Sequence, residues 1–390
     1  EFPGAADLLR YLQSYAKEAQ LEPFLRLGCT VTSVTRAEQG WKVCWDGDGG
    51  EQSEVFDFVV VANGIFAKQR RPDLPGFDTF PGKILDSGDY RSPEELAGQR
   101  VLVLGAAFSG ADIAVDIASR AAQVTISARR PMWYLPRRVY SRPADLVFYS
   151  RAAAENSKSL SEAEKEAIRH AFFGTLVDLP SPLLTPTPGK DRPFAVITDD
   201  FLSAVRESRL AVKPAGVVGF QGSTAIFSDG SKLDCDVVLV ASGFEPNLSF
   251  FSEKDLSCLE FKQDDVMQPL ILHKCVWRPE LSNMAFVGLY RGPYFAIMEL
   301  QARWVCGVFS GRLPFPSAAE ASEGLQVERE IRNARPRPQF PHGDYVALAE
   351  DLAERAGVRP DSVLADGSHP LRRLLLEGPL LPFHYRLQGF

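Results

Sequence analysis

The chain has 390 residues, 45% hydrophobic and 24% charged, enough to bury a large core in what reads as two domains. A formal net charge of -7 argues against nucleic acid as a partner, because phosphate binding needs a basic face. The six cysteines are scattered with no CxxC pair, which removes a redox-active dithiol and reads as buried reduced thiols. No apolar run approaches the ~20 residues that span a bilayer. The sequence opens on Glu1 with no signal peptide and no initiator Met, so a processed, truncated or partial chain is expected.

In chain order, Leu8, Leu9, Tyr11, Leu12, Tyr15 and Ala16 recur at helical spacing and predict an amphipathic helix over 5–19. Strand-like runs follow at 29–35 and 40–45, then a Gly/Asp-rich turn at 46–50. The apolar run 56–62 stops at Asn63-Gly64 and fits a buried parallel strand. Residues 70–82, rich in Pro and Gly, read as an interdomain crossing. A second core opens at Arg100, with a strand at 101–104, a turn at 105–110, a helix at 111–121 and a strand at 123–127. The polar stretch 150–200 is expected to hold an inserted helix and, at 179–188, a Pro-rich surface loop. Alternation returns over 210–227 with Ser228-Asp229-Gly230-Ser231 as a hairpin turn, and 237–241 repeats the buried-strand pattern. A strand at 284–288, a helix at 295–310 and a mixed helical tail close the chain. The strand ends Ala62-Asn63-Gly64 and Ala241-Ser242-Gly243 bracket one dinucleotide unit. An α/β, doubly wound Rossmann-like domain inserted into another is therefore expected.

Gly105-Ala106-Ala107-Phe108-Ser109-Gly110 stands where a G-x-G-x-x-G turn would. The first glycine permits the bend after the strand, the last lets the helix pack close, and the helix N-terminus offers N–H groups to a pyrophosphate. Ala107 replaces the middle glycine, and its methyl crowds the approach of phosphate. Gly105, Ala107, Ser109 and Gly110 are the candidate pyrophosphate residues. An NAD site puts Asp or Glu at the end of the next strand; this chain puts Ser127-Ala128-Arg129-Arg130 there, which suits the 2′-phosphate of NADP(H). Ser127 and Arg129 lead that assignment and Arg130 follows. Asn63 and Ser242 are expected to line the passage between domains, with strand capping as the competing reading. The five histidines (His170, His273, His342, His369 and His384) are dispersed and none sits at metal-ligand spacing, so no metal site is expected.

FPGKILDSGDY, from Phe80 to Tyr90, followed by VLVLGAAFSGADIA, resembles the linker and second nucleotide motif of flavin-containing monooxygenases. LLRYLQSYA (Leu8 to Ala16), FSDGSKLDCDVVLVASGF, AFVGLY with MELQARWVCGVFSGRLPFPS, and GPLLPFHYRL (Gly378 to Leu387) resemble further segments of that family. The last two point to animal-type, dimethylaniline N-oxide-forming members. The identifying motif FxGxxxHxxxY is matched at Phe80, Gly82 and Tyr90, but Asp86 replaces its histidine. Asn63 and Ser242 stand where the family has the threonine of its strand-end ATG.

The resemblance implies a two-dinucleotide-binding-domain flavoprotein. Residues 1–90 and 246–390 would belong to an FAD-binding domain, with 91–245 as the NADP(H)-binding domain. The family's FAD-binding G-x-G-x-x-G turn would lie upstream of Glu1, so an incomplete FAD domain is expected. FAD and NADP are the implied cofactors, with Gln301 of the 299–303 stretch on the flavin side and no single catalytic residue assigned. The implied reaction is NADPH-dependent oxygenation of soft nitrogen- or sulfur-containing small molecules by O2 through a C4a-hydroperoxyflavin. A Baeyer–Villiger-type monooxygenase and a truncated NADP(H)-binding paralogue without oxygenase activity are the alternatives. The resemblance further implies cytoplasmic placement or association with the endoplasmic reticulum membrane through peripheral contact.

Overall fold

The apolar runs around Val103 and Leu239 have polar residues at neither face, which suits strands covered on both sides. In a computed structural model describing residues 3–177, 194–292 and 295–386, they form the centre of a five-stranded sheet. Its order is Ala211–Lys213, Gln123–Ser127, Arg100–Leu104, Val237–Val240 and Lys83–Asp86, every pair parallel. On one face, Ala111, Ala114 and Ile117 of the helix Phe108–Ile117 pack on Val101, Val103, Val124 and Ile126. On the other, Leu102, Leu104, Val238 and Val240 meet Phe220, Ala225 and Phe227 of an antiparallel meander, Val217–Gln221, Thr224–Phe227 and Lys232–Asp234. The expected turn at 228–231 joins its last two strands, with Asp229 Oδ1 accepting from the Ser231 amide at 3.1 Å.

The remaining residues build a second body. Thr30–Arg36, Trp41–Gly47 and Gly50–Phe56 form an antiparallel sheet, and Val59–Val61 pairs in parallel with Met284–Phe286. Val34, Trp41, Val61, Leu281 and Phe286 share one core there. The helices Phe295–Phe309 and Tyr345–Arg355 share another, through Ile297, Leu300, Trp304, Ala349 and Leu352. The amphipathic helix falls at Ala5–Glu18, but its stripe of Leu8, Leu9, Tyr11, Leu12 and Tyr15 is exposed and it buries no residue. Among the described residues no helix is long and apolar enough to cross a membrane.

Two passages of the chain between the bodies pair with each other; between them, the stretch around 149–157 packs on the second body, with Ser150 bridging Pro379 and Arg151 pairing with Glu350. Lys68–Gln69 runs antiparallel to Phe244–Glu245, with Gln69 opposite Phe244 and Lys68 opposite Glu245. Several expectations shift. The helix after the glycine turn starts at Phe108, three residues early, so the turn itself is short. The strand Lys83–Asp86, expected with the first segment, is hydrogen-bonded to Val237–Val240. Gly50–Phe56 was invisible in the hydrophobic pattern because it is an almost wholly exposed edge strand. Met132–Leu135 pairs in parallel with Phe194–Ile197, where no strands were expected. The single inserted helix becomes two longer pieces, Arg151–Ser157 and Glu162–Leu176, the second opened by a Ser161/Glu164 capping box. The Pro-rich loop expected at 179–188 lies outside the described residues.

Candidate nucleotide site

The turn after Arg100–Leu104 is shaped by contact with the neighbouring strand end. Gly105 has φ +108°, in the region that glycine alone enters freely, and a Cβ there would lie 2.4 Å from the Ala241 carbonyl oxygen. A Cβ on Gly110 would lie 1.9 Å from the Gly105 carbonyl oxygen. Helix, turn and strand therefore approach as closely as backbones can. Ala107 caps the helix with an extended backbone and no side-chain bond. Ahead of the first intrahelical bond, from the Ala111 amide to the Ala107 carbonyl at 2.8 Å, the helix amides have no intrahelical acceptor and face outward. Ala107 is half-buried; Phe108 and Ser109 are exposed.

Residues unnoticed in the sequence brace this turn. The Tyr134 hydroxyl donates to the Ala106 carbonyl at 3.1 Å, its ring stacks on Phe201 at 4.1 Å, and burial pushes its phenol up. Arg137 reaches Asp112 in the helix's second turn at 3.1 Å, and Thr198 donates to the same carboxylate at 2.8 Å. Only the strand content of Met132–Leu135 could have signalled Tyr134, and its run is too short to register.

At the end of the second parallel strand the three candidates separate. Ser127 is 5% exposed and its hydroxyl donates to the Ala215 carbonyl at 2.7 Å, so its proton is committed to holding the next strand's loop. This bond holds Ser127 at the strand end where a 2′-phosphate contact is expected of it. Arg129 is exposed, lies with its stem over Gly216, and makes no hydrogen bond or ion pair among the described residues. The Arg130 guanidinium stacks over the Phe194 ring at 4.0 Å.

Asn63 and Ser242 both meet the paired crossings. Asn63 Nδ2 donates to the Asn247 carbonyl at 2.6 Å, and Ser242 Oγ donates to the Arg70 carbonyl. Both side chains stay exposed while they cap. Gln301 does not reach any open site. It is 0% exposed, accepts from the Gly288 amide at 3.0 Å and donates to the Cys275 carbonyl at 3.4 Å, so its amide is used within the core.

The matched motif residues lock the linker onto the parallel sheet. Phe80 packs edge-on against Phe220, and Tyr90 donates to Asp116 Oδ2 of the nucleotide helix at 2.7 Å. Asp86, in the histidine's place, is only 13% exposed and is held by Arg71.

The parallel sheet with a glycine-framed turn after its central strand defines an α/β protein. The sequence matches the family described as flavin-binding monooxygenase-like over residues 1–390. It is 33% identical over 414 aligned residues to flavin-containing monooxygenase 5 of Homo sapiens, covering 100% of this chain and 74% of that protein. It is 31% identical over 400 residues to dimethylaniline monooxygenase [N-oxide-forming] 4 of Homo sapiens, covering 97% and 69%. The fold is similar to S-allyl-L-cysteine S-oxygenase from Allium sativum, with TM-score 0.63, 24% identity, and 91% and 67% of the chains covered. It is also similar to NADP+-bound cyclohexanone monooxygenase from Rhodococcus sp. Phi1, with TM-score 0.65, 19% identity, and 91% and 82% covered. The chain belongs to the flavin-binding monooxygenase-like family, oxidoreductases that use FAD, NADPH and O2.

Proposed function

We propose that this chain binds NADP(H) at the 105–110 turn and acts in an NADPH-dependent oxygenation of soft nitrogen or sulfur nucleophiles. The observation that carries the reading is Arg129: an exposed, uncommitted guanidinium at the strand end where the ribose 2′ substituent of a bound dinucleotide falls. The backbone around Gly105 and Gly110 leaves no room for a Cβ, which fits a turn against which a pyrophosphate can lie, with Ala107 and Ser109 contributing amides at the helix start. Arg130 would flank the phosphate from its seat over Phe194. Ser127 orients the loop, and Asn63 and Ser242 fix the paired crossings beside it.

In this reading residues 91–245, with the strand Lys83–Asp86, form the NADP(H) domain inserted into a flavin domain made from 1–82 and 246–390. The flavin supplies the electron transfer and O2 chemistry when bound. Gln301 has no exposed atom to offer it, and no step is assigned to that residue. The names of two relatives, an N-oxide-forming monooxygenase and an S-oxygenase, support the substrate class.

The test is a pair of nucleotide titrations. The chain is expected to bind NADPH more tightly than NADH, and Arg129→Ala to erase that preference, a loss of roughly tenfold to a hundredfold for a charged hydrogen-bond partner. Equal affinity for the two nucleotides in the parent chain defeats the reading. Turnover of a thioether against a cyclic ketone then separates heteroatom oxygenation from Baeyer–Villiger chemistry.

A further inference from the structure

Three residues far apart in sequence meet in the second body, away from the nucleotide turn. Cys275 sits in a tight turn in which both Lys274 (φ +54°) and Cys275 (φ +59°) are left-handed. Glu328 comes from the helix Ala318–Asn333, and His342 from the segment that follows it. His342 Nε2 lies 2.9 Å from Glu328 Oε2 and 3.4 Å from Cys275 Sγ, and the three ligand atoms all lie within 4.8 Å of one another. Cys275 and Glu328 are buried, and the His342 side chain is nearly so.

The sulfur also lies 3.9 Å from His342 Nδ1, so it sits beside the imidazole ring while the carboxylate faces Nε2. Carrying a proton, Nε2 satisfies the carboxylate; carrying a lone pair, it opposes it. Burial pushes the Cys275 thiol up, so the neutral thiol persists beside the ring. A cation between them removes the conflict, because sulfur, nitrogen and oxygen all offer it lone pairs. Zinc bond lengths at tetrahedral angles put sulfur about 3.6 Å and oxygen about 3.4 Å from the nitrogen; they stand at 3.4 Å and 2.9 to 3.2 Å, so to admit the ion the carboxylate draws back and the Cys275 side chain turns from beside the ring toward Nε2.

The surroundings supply an outer shell and a fourth position. Gln268 Nε2 donates to Glu328 Oε2 at 2.7 Å and to the Glu328 carbonyl at 3.1 Å, which fixes the carboxylate's aim. Gln268 Oε1 is buried without a partner among the described residues. Gln268, Cys275, Glu328 and His342 line a cavity of about 20 Å³, room for one water.

We propose that Cys275, Glu328 and His342 form a binding site for a zinc-class divalent cation, with a water held by Gln268 Oε1 as fourth ligand. The thiolate selects zinc over magnesium or calcium. Binding forms the sulfur–metal bond and releases the thiol proton to solvent, so affinity falls in acid. The cation ties the helix Ala318–Asn333 and the segment after it to the turn at Cys275, a clamp on the C-terminal helices. Its place outside the nucleotide site makes it independent of the function proposed above.

Cobalt(II) is the probe. The full chain, stripped with chelator, is expected to take up about one Co2+ with a sulfur-to-cobalt charge-transfer band that added zinc abolishes. Cys275→Ser removes the band, Gln268→Leu weakens binding by about 10- to 100-fold, and Cys306→Ser, at an exposed cysteine, changes neither. A parent chain with no sulfur-to-cobalt band overturns the proposal whatever the variants do. So does a band that survives in Cys275→Ser; either result leaves a plain hydrogen-bonded triad.

Discussion

Arg71 grips Asp86 with two nitrogens, Nε 3.0 Å from Oδ1 and Nη2 2.8 Å from Oδ2. The contact spans the stretch between the first crossing and the sheet's outer strand, at the position where the family motif carries histidine. The carboxylate is largely buried, while the guanidinium is half in solvent and lifted above its ordinary pKa by this hydrogen bond. Removing the arginine leaves the acid without its partner. Arg71→Ala is expected to cost about 1–3 kcal/mol, and Asp86→Asn in that background to recover part of it. Denaturant midpoints of the two single variants and the double variant measure this; strictly additive losses would show that the pair carries no coupling.

The turn makes opposite predictions for its glycines and its alanine. Gly110→Ala drives a methyl into the Gly105 carbonyl and is expected to cost about 1–3 kcal/mol or more, because backbone must move. Ala107→Gly opens the phosphate approach and is expected to tighten NADPH and NADH by a common factor, leaving their ratio unchanged. A change confined to NADPH would place Ala107 beside the 2′-phosphate instead of the pyrophosphate.

Gln301→Leu keeps volume but strands the buried Gly288 amide. The expected loss is about 1–3 kcal/mol of stability, with NADPH affinity within error of the parent. Weakened nucleotide binding in a variant of unaltered melting temperature would return Gln301 to the site.

Two histidines set an acid limit on the fold. Neither ring nitrogen of His273 or His384 has a partner among the described residues, and both side chains are buried. Burial first, then Arg355 and Lys274 against Glu320 and Asp351 for His273, and Arg151 for His384, lower both to about 4 from the usual 6.5. The unfolded chain then binds more protons than the folded one below pH 6.5, so their contribution is complete above 6.5 and drains away toward 4. His342, raised above 6.5 by the Glu328 carboxylate although burial opposes it, titrates in the opposite sense and contributes a level term below 6.5. Urea midpoints are expected to fall between about pH 7 and about pH 5, and to fall less in His384→Phe. An unchanged slope in that variant would remove His384 from the account.

The parallel sheet was legible because Val101–Leu104 and Val237–Val240 are continuous apolar runs, and the place of Arg129 just past the strand Gln123–Ser127 because that strand's pattern ends there. Side-chain commitments were not legible. Ser127 and Gln301 have the right chemistry for a cofactor, but partners 88 and 13 residues away in sequence consume their bonding capacity. Cys275, Glu328 and His342 are close in space although no local sequence pattern joins them. The helix Ala5–Glu18 shows a third limit: its period announced a helix but not what, if anything, its apolar stripe touches.

The pairing of Gln69 with Phe244 places the entrance and exit of the nucleotide unit side by side. The two ends of the unit thus emerge together, but its stretch around 149–157 is tied into the other body as well, Ser150 bridging Pro379 and Arg151 pairing with Glu350. Exchanging the unit therefore means replacing that docked stretch together with the ribbon, in which bending one passage bends its hydrogen-bonded neighbour.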